Sequence, residues 1–196
     1  MDRRIAQMMF TDPPYGIGES YKSFDDTKEN LKKLIDAVFP IMLGHSERIL
    51  LTPGNSNQRL YPLPNWTLCW FTAAGVGSTP WGFSCWTPIL AYGKDPYLVA
   101  GLGRRPDALA ISTESAENDL GHPVSKPVKV WTWLMERGSV NKGDIIFDCF
   151  SGSGTGYVAA ENLGRIMYGI ELDAGYCAVI LERLKGLGLS PRQERR

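Results

Sequence analysis

Apolar residues fall into two kinds of run along this chain. Short, near-continuous blocks predict buried strands at residues 5–11, 48–51, 66–71 and 86–92. Asp12-Pro13-Pro14-Tyr15 stops the first, Thr52-Pro53-Gly54 the second, and Gly93-Lys94-Asp95-Pro96 marks a turn after the last. Between the first two, Leu31, Leu34, Ile35 and Val38 recur at helical spacing and predict a helix over 27–39.

The last third alternates most clearly. A strand at 144–149 leads into a loop of small residues at 151–156, a helix at 157–163 stopped by Gly164, a strand at 166–170 and a helix at 174–184. Strand, helix, strand in this order is a βαβ unit and implies a parallel sheet. Pro127 opens a helix reaching about residue 136, because a first turn has no use for the missing amide. Residues 96–121 lack a period and predict an irregular excursion with at most a short strand near 108–112. With no internal repeat and no linker, residues 1–196 read as one α/β domain, mostly parallel, with helices on both faces.

Composition narrows this picture. Of 196 residues, 43% are hydrophobic and 21% charged, as in a globular domain. Lys and Arg number 21, as do Asp and Glu, so a nucleic-acid partner would have to be met by a local basic patch. Cys69, Cys85, Cys149 and Cys177 form no Cys-x-x-Cys pair, and His45 and His122 are the only histidines, so no metal is expected. The cysteines sit in apolar stretches and read as reduced core residues of a cytoplasmic protein. No membrane span or signal peptide is expected.

Two stretches carry chemistry. The strand ending at Asp148 runs through Cys149 and Phe150 into Ser151-Gly152-Ser153-Gly154-Thr155-Gly156. Such a turn lets a ligand approach backbone amides at a helix N-terminus. Glu171, at the end of the next strand, can accept hydrogen bonds from both hydroxyls of a ribose. The plainer alternative is a tight βα turn with an acidic cap. Tyr157 stands where a dinucleotide fingerprint requires glycine, which argues against a nicotinamide cofactor.

The second stretch is Asp12-Pro13-Pro14-Tyr15. An aromatic amino nitrogen is a poor nucleophile because its lone pair is delocalised into the ring. Two acceptors beside it, the Asp12 carboxylate and the Pro13 carbonyl, can take its hydrogens and draw the nitrogen toward tetrahedral geometry. Pro14 stiffens the backbone that aims this carbonyl. Tyr15 offers a face on which an extruded base can stack. Alone, the motif also reads as a stiffened turn after a strand.

Together the two stretches resemble the amino-methyltransferases that act on DNA. His122-Pro123-Val124-Ser125-Lys126-Pro127 is similar to that family's His-Pro-x-x-Lys-Pro segment. The order of motifs, catalytic first and glycine loop last, resembles the circularly permuted beta class. The resemblance implies a permuted Rossmann-like sheet and S-adenosyl-L-methionine as cofactor. Its pocket would be lined by His122, Lys126, Asp148, Phe150, Ser151, Gly152, Ser153, Gly154 and Thr155, with Glu171 on the ribose. Lys126 would neutralise the cofactor's carboxylate. Relatives carry a longer segment before the motif, so the sheet here is open to closing without one edge strand.

The partner implied is double-stranded DNA, with residues 96–121 as a short target-recognition insertion and Lys94, Arg104 and Arg105 as phosphate contacts. So small a region suggests a short target, or a homodimer that shares the work. Asp-Pro-Pro-Tyr favours adenine N6 over cytosine N4. Families that methylate protein glutamine or RNA use Asn-Pro-Pro-Tyr after the glycine loop, and the inverted order here argues against them. A shortened, non-catalytic relic is the third reading. Restriction-modification, an orphan mark and phage self-protection all suit a bacterial or phage gene.

Overall fold

A computed structural model describes residues 5–21, 24–73, 75, 77–111 and 126–191. Seven strands form one sheet in the order β7-β3-β6-β2-β1-β8-β9. Their ranges are β1 Met8–Thr11, β2 Ile49–Leu51, β3 Trp66–Phe71, β6 Trp86–Tyr92, β7 Ala108–Ala110, β8 Ile145–Asp148 and β9 Ile166–Gly169. A separate hairpin pairs β4 Ser78–Thr79 with β5 Gly82–Phe83. The helices are α1 Lys28–His45, α2 Pro96–Val99, α3 Val128–Gly138, α4 Thr155–Asn162 and α5 Ala174–Gly186.

β1 explains the continuous apolar run that predicts it. It sits in the middle of the sheet and all four of its residues are buried. Met8 and Phe10 enter one core with Val130, Trp131, Leu134 and Met135 of α3 and Ala159 and Ala160 of α4. Met9 enters the other core with Leu31, Ile35, Phe39 and Met42 of α1. The sheet therefore carries helices on both faces, as its pattern implies.

α1 is longer than its period suggests. Thr27 caps it, its hydroxyl accepting from the Asn30 amide at 3.2 Å. It then continues through Pro40 to His45. Pro40 removes one backbone hydrogen bond on the exposed side, while Phe39 and Met42 stay buried on either side of it. The helix after the glycine loop starts at Thr155 rather than Tyr157, with Gly154 in the left-handed region (φ 79°) just before it. Gly156 then lies within the first turn, where a Cβ would come 2.7 Å from the Met167 methyl carbon.

Strand direction positions everything that follows. β1, β2, β3, β7, β8 and β9 run the same way, and only β6 runs back. The segments following Thr11, Leu51, Phe71, Asp148 and Gly169 therefore emerge at one edge. The connection 93–107, between β6 and β7, lies at the opposite edge. Among the described residues nothing pairs with the outer side of β9, and Ile166 and Ile170 are exposed there.

Candidate active site

The Asp12-Pro13-Pro14-Tyr15 motif and the glycine loop leave adjacent strands, β1 and β8, at the same edge. A direct bond ties them: the Thr11 hydroxyl donates to Asp148 Oδ1 at 2.7 Å, across 137 positions of sequence. Residues read separately from the two ends of the chain are thus neighbours.

Asp12 is held by three side chains. Tyr15 donates its hydroxyl to Oδ1 at 2.5 Å, Thr52 donates to the same oxygen, and Lys126 pairs with Oδ2. Lys126 Nζ also donates to the Tyr15 hydroxyl at 3.0 Å. The lysine side chain is only 9% exposed. Burial opposes its charge, but the Asp12 carboxylate and Tyr15 hold it protonated, with its pKa raised. Tyr15 is pushed up to about 12 by burial and then by the Asp12 charge, so it remains a neutral donor. Lys126, expected to face a cofactor carboxylate, pairs here with the Asp12 carboxylate.

The loop beyond the motif is clamped from below. Asp26 is buried, and its carboxylate accepts from the amides of Gly16, Ile17 and Glu19 at 2.6, 3.0 and 3.1 Å. Asn57 donates to the Tyr15 carbonyl at 2.7 Å. Gly54 lies against the Tyr15 ring, where an added Cβ would stand 3.3 Å from Cδ1. Sequence reasoning missed Asp26, Thr52 and Asn57. A single polar residue in a loop carries no periodic signal, and only the folded chain brings these to the motif.

Beyond the end of β9, Glu171 grips the glycine loop. Its carboxylate accepts from the Gly152 amide and from the Asp173 amide, both at 2.8 Å. A carboxylate has about four acceptor sites, so two remain for ligand hydroxyls. Arg183 of α5, also missed, donates to the Ser153 carbonyl and the Thr155 hydroxyl, both at 3.1 Å. At Gly152 a Cβ would meet nothing within 4 Å, so the loop faces open space there. Phe150 is half-buried beside it, its amide donating to Asp148 Oδ1 at 2.9 Å.

Asp148 is 1% exposed, and among the described residues its Oδ2 has no hydrogen-bond partner. Burial raises its pKa from 3.8 to about 7. The folded chain thus keeps a proton that the unfolded chain releases, so this residue makes stability fall as pH rises from about 3.8 to about 7. The denaturation midpoint is expected to be lower at pH 8 than at pH 5, with Asp148→Asn removing most of the difference. An equal pH dependence in the variant would show that Asp148 does not titrate in this window. Cys149, next along, is pushed up to about 12 by burial and then by Asp148, which makes it a poor thiolate nucleophile.

His122 lies outside the described residues, as do residues 112–121 of the expected recognition insertion. Lys94, Arg104 and Arg105 are not brought to the sheet edge that carries Asp12 and the glycine loop. Because β6 runs antiparallel to its neighbours, the 93–107 connection leaves the sheet at the far edge. Arg105 is engaged there, donating to Asp95 Oδ1 at 3.0 Å and to the Glu136 carbonyl at 2.6 Å, and stacking over Tyr97. Residues 108–110 extend the sheet as β7 beside β3. No group of metal-ligating side chains occurs among the described residues, and no helix there is long and apolar enough to cross a membrane.

The family model described as DNA methylase matches residues 65–182. The chain belongs to this DNA methylase family. Its fold is that of the circularly permuted N6-adenine/N4-cytosine group, the catalytic strand preceding the glycine-loop strand. The type II methyltransferase M.HpaI of Haemophilus parainfluenzae is 23% identical over 94% of this chain and 69% of its own length. The type II methyltransferase M.BamHI of Bacillus amyloliquefaciens is 51% identical over a stretch covering 24% of this chain and 11% of its own. The chain thus matches from about a tenth to about seven-tenths of these relatives. Among solved structures, the M1.HpyAVI–SAM complex superposes with a TM-score of 0.63 at 18% identity, covering 92% of this chain and 89% of that one. The cytosine-N4-specific PvuII DNA methyltransferase gives 0.65 at 15% identity, covering 92% and 79%.

Proposed function

We propose that this DNA methylase-family chain transfers a methyl group from S-adenosylmethionine to the exocyclic amino group of a base extruded from double-stranded DNA, with adenine N6 as its target. One observation carries this reading. The Thr11–Asp148 hydrogen bond sets a carboxylate suited to an amino group beside a glycine loop suited to a nucleoside cofactor.

The residues present fit the cofactor. Asp148 Oδ2, buried and unpartnered among the described residues, suits a cationic amino group. Glu171 has acceptor sites left for ribose hydroxyls. Gly152 opens its side of the loop for close approach. When bound, S-adenosylmethionine supplies an electrophilic methyl group on a sulfonium. Asp12 and the Pro13 carbonyl accept the hydrogens of the target amino group and make its nitrogen a nucleophile toward that methyl. Tyr15 stacks against the base. Lys126, which pairs with Asp12, would shift to the cofactor's carboxylate and leave Oδ2 of Asp12 to the base. Base extrusion costs about a few kcal/mol, which contacts to the duplex must offset.

The reading is tested by incubating the chain with mixed-sequence duplex DNA and methyl-labelled S-adenosylmethionine, then resolving the nucleosides by mass spectrometry. Labelled N6-methyladenine is expected. Labelled N4-methylcytosine would move the target to cytosine, and unlabelled DNA would overturn the enzymatic reading.

A further inference from the structure

The stretch 73–84 contains no charged side chain, and among the described residues its Trp81 and Phe83 stand out as exposed aromatic rings. It leaves β3 and returns in β6 at the same sheet edge as Asp12 and the glycine loop. Its strands β4 and β5 pair Ser78 with Phe83 and Thr79 with Gly82, leaving Pro80 and Trp81 as the tip. Trp81 is 99% exposed and Phe83 82%.

The tip is held in shape. Thr79 Oγ1 donates to the Gly82 carbonyl at 2.9 Å and accepts from the Trp81 amide at 3.2 Å. The root of the hairpin is fastened to the loop that follows β2. Asn55 Nδ2 donates to Ser84 Oγ at 2.7 Å and to the Trp86 carbonyl at 2.9 Å. Asn55 directly follows Gly54, the residue against which the Tyr15 ring lies. The hairpin and the proposed base pocket therefore share one support.

Large exposed apolar groups mark surfaces that meet a partner. A charge-free hairpin cannot neutralise phosphates, so its aromatic rings match the other face that DNA offers, the stacked bases. Aromatic side chains stack on bases with little regard to sequence, and apolar wedges can enter between base steps. A fixed hairpin presents them with little ordering cost on binding. We propose that Trp81, supported by Phe83, inserts against the bases next to the extruded nucleotide, and that the 77–84 hairpin is a DNA-engaging element of this chain. This inference rests on the methyltransferase reading above and adds the surface by which the duplex is opened. It also moves the DNA interface away from the 93–107 connection, which the sheet carries to its far edge.

The test compares wild-type, Trp81→Ala, Phe83→Ala and Trp81→Phe chains on mixed-sequence plasmid DNA. Loss of one base-stacking ring is expected to lower kcat/KM for the plasmid about tenfold or more in Trp81→Ala, while Trp81→Phe retains most of it. Cofactor affinity by calorimetry should match wild type in all variants, which shows that they fold. Trp81 fluorescence, taken as the wild-type signal minus that of Trp81→Phe, should be quenched when plasmid is added. Equal plasmid kinetics in wild type and Trp81→Ala would overturn the proposal. So would conversion of a dimer to a monomer by Trp81→Ala without change in those kinetics, since the hairpin would then face a second copy. No methylated product from the wild-type chain would defeat the enzymatic reading itself, whereas product formed at equal rates by all variants defeats only the hairpin.

Discussion

Asp12→Ala is expected to lower the methyl-transfer rate constant by about a hundredfold or more, the scale of removing one preorganised polar group. The effect should lie in turnover, because Asp12 is proposed to hold the target amino group and makes no bond to the glycine loop. Cofactor affinity should change little. The substitution also leaves Lys126, only 9% exposed, without its carboxylate, so a control is needed. A melting scan and the cofactor titration of the same variant supply it, and Asp12→Asn, which loses the charge toward Lys126 as well, adds a second chain to compare. The amide keeps the shape and can accept from Thr52 and Tyr15 at one oxygen, but it presents hydrogens of its own where the base's hydrogens must bind. It should fold, bind cofactor and still be slow. A rate constant equal to wild type in both variants would remove Asp12 from the chemistry.

Glu171→Ala should act on the opposite side of the cleft. A hydrogen bond to a charged group contributes about 1.5–3 kcal/mol, so cofactor affinity should fall by about that much. The loss has two sources, separable by a second variant. Glu171 is proposed to hold ribose hydroxyls, and it also pins the Gly152 and Asp173 amides. Glu171→Gln keeps one acceptor oxygen for the loop but loses the charge and half of the acceptor sites. It should fall between wild type and alanine. Calorimetry giving equal affinity in all three chains would refute the assignment. An effect on the rate constant at saturating cofactor, with affinity unchanged, would contradict it as well.

The parts of this fold that were legible in the sequence are the local ones. β1 is read correctly because burial on both faces makes Met8, Met9 and Phe10 a continuous apolar run ahead of the buried Thr11. The βαβ unit around the glycine loop is read because its strand, turn and helix each carry their own signal within a few residues. Long-range consequences were not legible. The pattern of Trp86–Tyr92 does not say which way the strand runs, and that direction alone decides that Lys94, Arg104 and Arg105 end up far from Asp12. Nor does an arginine in a loop disclose that it is engaged with Asp95 and a helix carbonyl. The helix through Pro40 defied a local rule because Phe39 and Met42 are buried beyond what propensity can count. Trp81 was invisible for a simpler reason. No element is predicted over residues 72–85, because a tryptophan at the tip of a two-residue turn carries no periodic signal.

The most direct measurement is a crystal structure of the chain with S-adenosylmethionine. The adenosine should lie along Gly152 and Glu171, the amino group near Asp148, and the sulfonium methyl should point toward the Asp12 carboxylate, with Lys126 moved off it. Electron density for the cofactor anywhere outside the space between residues 12–15 and 150–155, or a methyl group turned away from Asp12, would contradict the shared cleft on which the proposed chemistry depends.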